Sequence, residues 1–153
     1  MRGQRTGAGS YTLWVSLAVI AWAVATVVVC ESMAGPGRLG IEELNVIVST
    51  LGAGVGLVFY GLSARRLKDL DLSPMWTKVL AIPFLAVMVL PYLCFVSGQR
   101  VENRYGPAPE ASGFFKVAGA VMALFIAIHF GFGAVTTFHK TRHAMSDASV
   151  TAP

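Results

Sequence analysis

Charge is scarce in this chain. Asp, Glu, Lys and Arg make up 13% of its 153 residues, about half of what a soluble domain carries. Four long runs hold none of them: Tyr11 to Cys30, Leu44 to Ala64, Val79 to Gly98 and Val117 to Phe138. The apolar runs also lack the paired carboxylates or relay that proton-coupled carriers need at depth, and the polar lining of an ion path. One intramembrane histidine, His129, cannot by itself supply both axial ligands of a haem. No Ser-His-Asp or Cys-His set can be assembled on one side of a membrane, so no catalytic residue is assigned. Long basic arms with interleaved aromatics are missing, which excludes nucleic acid as a partner.

What is present is apolar length. Hydrophobic residues are 55% of the chain and the mean hydropathy is +0.64. At about 1.5 Å per residue, each run can cross ~30 Å of hydrocarbon as a helix. Helix is the expected choice, because an open strand in lipid leaves backbone groups unpaired. The expectation is an all-α integral membrane protein of one domain. Its four transmembrane helices fall at about 11–30, 44–64, 79–98 and 117–138, followed by a short tail over 139–153. Arg2 and Arg5 precede the first run as in a signal peptide. The run is nevertheless longer than a signal core and lacks an A-x-A site, so it is read as a retained helix.

Cytoplasmic loops are enriched in Lys and Arg. With the N-terminus inside, the inner segments hold Arg2, Arg5, Arg65, Arg66, Lys68, Lys78, Lys140 and Arg142, and the outer loops hold Arg38, Arg100, Arg104 and Lys116. Eight against four puts both termini in the cytoplasm. In the inner stretch "SARRLKDLDLSPMW", Arg65, Arg66 and Lys68 then anchor the second helix at anionic headgroups. Arg65 and Asp69 are four apart and can pair. Ser73 suits a helix N-cap, Pro74 a first-turn position, and Trp76 an interfacial anchor.

"RRLKDLDLSPMW" resembles the pattern Arg-Arg-Leu-His-Asp-x-Gly-x-Ser-Gly-Trp-Trp of the YhaH-like bacterial inner-membrane proteins, the family called domain of unknown function 805. "NRYGPAP" resembles the same family's Asn-x-(Tyr or Phe)-Gly-Pro-x-Pro. Arg65, Arg66, Leu67, Asp69, Ser73 and Trp76 fit the first pattern; Asn103, Tyr105, Gly106, Pro107 and Pro109 fit the second. Lys68 stands where the pattern has His, Asp71 where it has Gly, and Pro74 where it has the second Gly. The resemblance implies a bacterial inner (plasma) membrane location and no known reaction.

The second motif lies in an expected outer loop, where Gly106, Pro107 and Pro109 set turns and Asn103 bonds exposed backbone groups. A structural loop is the first reading; the alternative is that Arg100, Glu102, Asn103, Arg104 and Tyr105 form an outward docking patch. In the fourth run Gly119, Ala123, Ala127 and Gly131 form a small-residue stripe, for which Gly52 and Gly56 of the second run are the expected acceptor. His129 lies about 160° around that helix from the stripe, so it bonds within its own helix or meets another helix or chain. His139 and His143 are one turn apart but have no third ligand nearby, so they read as a basic cap and no metal is assigned. Cys30 and Cys94 are expected at similar depth and as free thiols. The resulting expectation is a non-enzymatic, cofactor-free membrane component. It binds the bilayer, anionic lipid headgroups, and a second copy or another membrane protein. A small transporter or channel-like component is the alternative.

Overall fold

The structure is a computed structural model that describes residues 5–34 and 38–151. Helix α1 spans Ala8–Val29 and runs on into a π-helical turn, Cys30–Ala34. Helix α2 spans Ile41–Asp69 and α4 spans Phe114–Thr151. Between them lie a 3₁₀ helix, Pro74–Ala81, and the short helix α3, Pro83–Phe95. Among the described residues there is no strand, only an isolated bridge between Asn103 and Gly106.

Local chemistry explains where these helices begin and end. The Gly40 amide donates to Glu43 Oε2 at 2.9 Å, half of a capping box at the start of α2. The far end of α2 closes in a Schellman turn: Leu72 N donates to Leu67 O at 2.9 Å and Asp71 N to Lys68 O at 3.2 Å. Asp71 holds the left-handed position there, with φ 59°. This is the place where the family pattern has Gly, and the backbone conformation explains why. Ser73 then caps the 3₁₀ helix by accepting from Met75 N, with Pro74 in the first turn.

The third apolar run departs from expectation. Residues 79–98 do not form one helix, because Ile82 precedes Pro83 and takes an extended conformation, φ −97° and ψ 109°. The α-helix that follows has only 13 residues, about 20 Å against a ~30 Å hydrocarbon core. Among the described residues three helices remain long and apolar enough to cross: Ala8–Ala34, Ile41–Asp69 and Phe114–Ser149.

The chain packs as two units. The first holds Met1–Ser16 and Leu57–Leu124; its core is Tyr11, Val15, Leu67, Leu93 and Cys94, with Phe59, Leu62, Leu70 and Val89 against it. The second holds Leu17–Gly56 and Phe125–Pro153, and buries Cys30, Ala34 and Leu44 beside Val29, Val48, Phe138 and Met145. Both cysteines are free, each buried in its own cluster. Leu57, Phe115 and Phe132 are more than three-quarters exposed. Apolar side chains turned outward at this density suit lipid rather than water.

The small-residue stripe also packs differently from expectation. In the second unit a Cβ on Gly131 would lie 3.4 Å from Val19 Cγ1, and one on Gly52 would lie 3.9 Å from Trp22 Nε1. Both glycines therefore face α1 rather than each other. Gly56 and Gly119 face nothing within 4 Å. On α4 the buried positions are Ala120, Ala127 and Ala134, seven residues or two turns apart, while Ala123 is half-buried.

Candidate functional site

The last two turns of α2 put Ser63, Arg66 and Asp69 three residues apart on one face, and all three are buried. Ser63 Oγ pairs with the Tyr11 hydroxyl at 2.9 Å. Thr12 Oγ1 donates to Cys94 O at 3.3 Å, tying α1 to α3 as well. Arg66 Nε donates to Leu93 O at 2.9 Å, and its two terminal nitrogens donate to Val96 O and Asp69 Oδ2. Its charge thus sits at the C-terminal end of α3, where helix carbonyls are free and the dipole favours a cation.

Asp69 is held from the other side by Arg5. Arg5 Nη2 and Nε reach Asp69 Oδ1 at 3.0 and 3.2 Å, and Nη1 donates to Val101 O and Gly106 O, both at 2.9 Å. Nη2 also donates to Gln99 O, and Gln99 N returns a bond to Asp69 O at 3.0 Å. One carboxylate therefore bridges two guanidiniums whose remaining donors are taken by loop carbonyls, a pattern the planar arginine fork allows and a lysine does not.

The second motif closes over the first. Asn103 Nδ2 donates to Lys68 O at 2.9 Å, satisfying a carbonyl at the end of α2, while its Oδ1 accepts from Tyr105 N at 2.9 Å. Asn103 and Gly106 exchange backbone bonds of 3.1 and 2.9 Å, and Gly106 has φ 127°, which favours glycine. Arg104 pairs with Asp71 at 3.0 Å, more exposed than the other pairs, and lies 4.9 Å from the Tyr105 ring centre. Lys68 Nζ stands 6.0 Å from the same ring.

These contacts correct several expectations. The loop over 98–113 does not lie across the membrane from the 63–76 connection, because the two are hydrogen-bonded to each other. Arg66 and Asp69 cannot touch headgroups, being 0% and 1% exposed. Asp69 pairs with Arg66 and Arg5, leaving Arg65 exposed and outside the pair. Of the other candidates, Lys68 is half-buried and Ser73 is spent as a cap. Trp76 is 60% exposed, suiting a membrane interface. Pro107 is exposed, and Pro109 lies 3.7 Å from the place of a Cβ on Gly7.

His129 is exposed on α4 beside the ring of Phe130, at 6.1 Å between centroids. His139 stands against Phe138, 5.6 Å away. Among the described residues no three His, Cys, Asp or Glu side chains gather closely enough to hold a metal. Two residues of the site had no signal in their own neighbourhood. Arg5 acts on a partner 64 positions away. Gly98 is needed because a Cβ there would collide with the Asp69 carboxylate.

The family model described as "Protein of unknown function (DUF805)" matches residues 3–107. The inner membrane protein YhaH of Escherichia coli K12 is 31% identical over 80 residues, covering 52% of this chain and 64% of that protein. The protein of the same name from E. coli O157:H7 matches to the same extent. The match thus spans less than two thirds of these curated relatives. No solved structure matches.

Proposed function

Because the chain belongs to the DUF805 family and is a membrane protein, we propose that it is a non-enzymatic, multi-pass component of the bacterial inner membrane with three crossings. Its two motifs form one fixed cytoplasmic surface for a membrane partner. The observation that carries this reading is the Arg5–Asp69–Arg66 cluster. Arg66 and Asp69 of the family signature are consumed in holding loops together, which is the work of a scaffold.

The α3 segment leaves the end of α2 and comes back to it, since Gln99 N bonds Asp69 O. It is read as a re-entrant hairpin, which is tolerated in a membrane where protein covers the backbone. Three crossings place Arg2, Arg5, Arg65, Arg66, Lys68, Lys78, Arg100, Arg104 and Lys116 on one face and Arg38, Lys140 and Arg142 on the other. Nine cations against three make the motif face cytoplasmic and the C-terminal tail external.

The test is purification from native membranes in mild detergent with mass spectrometry of what is retained. Wild type is compared with Trp76→Ala combined with Arg100→Glu, two exposed positions outside the cluster. A retained protein lost from the variant is the expected result. Substrate flux through the pure protein in liposomes, abolished by Asp69→Asn, would contradict the scaffold reading.

A further inference from the structure

A cavity of about 530 Å³ opens in the first unit beside the start of α1, within the roughly 300–1,000 Å³ of small-ligand sites. Arg65 of α2 and Lys116 in the first turn of α4 both line it. Neither side chain makes a hydrogen bond or ion pair among the described residues, whereas Arg5, which also borders the cavity, is committed to Asp69 and the loop carbonyls. Ser10 brings a hydroxyl from the first turn of α1, and Glu110 is the one carboxylate in the lining. Asp69 is shared between Arg5 and Arg66, so Arg5 adds positive potential from behind, and among the side chains with no such partner Arg65 and Lys116 against Glu110 leave one positive charge.

Part of the remaining wall, beside Thr6, is apolar. Trp14 and Leu62 line the cavity, and Trp14 is 58% exposed on a helix that crosses the membrane. An inorganic anion has no use for such a wall. A lipid does, because its phosphate can lie among the cations while its glycerol backbone and chains run along the indole.

We infer that this cavity is a site for the phosphodiester headgroup of a glycerophospholipid that carries one negative charge and free hydroxyls, the chemistry of phosphatidylglycerol. Arg65 and Lys116 hold the phosphodiester, its single charge offsets the net charge that Arg65, Lys116 and Glu110 leave, and a headgroup hydroxyl donates to Glu110. Unlike diffuse attraction to an anionic surface, this site is saturable and selective among headgroups. The inference rests on residence in a membrane, and on neither the partner nor the orientation proposed above.

Native mass spectrometry of the full chain in detergent tests it, with phosphatidylglycerol, phosphatidylcholine and inorganic phosphate as probes. Wild type is expected to retain phosphatidylglycerol over phosphatidylcholine by about fivefold or more, given what one net positive charge contributes at an anionic headgroup. Arg65→Gln with Lys116→Gln removes the preference, and Arg65→Lys with Lys116→Arg keeps it. Neither residue is in the buried cluster, so unchanged thermal melting of both variants is part of the expected result. Equal retention of the two lipids by wild type, an undiminished preference in the glutamine variant, or displacement of the lipid by inorganic phosphate would each overturn the assignment. Detergent removes the question of which face is cytoplasmic, so failure here is separable from failure of the scaffold reading.

Discussion

The Asp69 carboxylate occupies the space where residue 98 would carry a side chain: a Cβ on Gly98 would overlap Asp69 Oδ2 and Cγ. The carboxylate cannot swing aside, because Arg5 and Arg66 grip it from both sides. Gly98→Ala is therefore expected to cost about 3 kcal/mol, at the upper end of what overpacking costs. A lowered melting temperature in detergent reports it. Gly61→Ala, where nothing lies within 4 Å of the added carbon, serves as the tolerant control.

Removing Asp69 leaves two guanidiniums without their counter-charge. Asp69→Ala is expected to destabilise by about 3–5 kcal/mol, the cost of breaking a buried ion pair from one side. Arg104→Ala removes the exposed pair with Asp71 and should cost under about 1 kcal/mol. Thermal unfolding of the two variants side by side gives the comparison, and equal losses would show that burial is not what distinguishes the pairs.

At Asp71 the backbone sets the effect. A left-handed φ is tolerated by Asp and free of strain for Gly, but costs a β-branched residue about 1–2 kcal/mol. Asp71→Gly gives up a half-exposed ion pair and gains this conformational ease, so its stability should stay within about 1 kcal/mol of wild type. Asp71→Val should melt measurably lower than both.

The His129 side chain makes no hydrogen bond among the described residues and stands on an exposed face. His129→Leu is expected to leave thermal stability within about 0.5 kcal/mol, as surface changes away from special features do. If that face meets a second copy or another protein, the same variant will cross-link less in membranes. Unchanged cross-linking assigns the face to lipid.

Much of the architecture was legible in the apolar runs. Residues 44–64 and 117–138 lie inside α2 and α4, and the Ser73-Pro74 start follows from capping chemistry that needs no tertiary context. The third span was misread because composition alone cannot tell 20 apolar residues from a broken segment. The punctuation was nevertheless present, in Pro83 and in Pro91, which lacks an amide proton inside α3. The site was less legible. A cation count treats Arg66 as a headgroup anchor, because nothing local reveals that its donors meet Leu93 and Val96 of another helix. The loop motif looked external for the same reason: its partners, Lys68 and Asp71, are more than thirty positions away. Arg5 carried no pattern at all.

That the two motifs meet on one face is the central claim, and cysteine accessibility tests it most directly. In a chain with Cys30 and Cys94 changed to Ala, single cysteines replace Met75, Glu102 or Ser146, and intact cells are treated with a membrane-impermeant maleimide before and after permeabilisation. Positions 75 and 102 are predicted to be protected together until the cells are opened, with position 146 labelled from the start. Labelling of 102 in intact cells while 75 stays protected would place the motifs on opposite sides of the membrane and contradict the account.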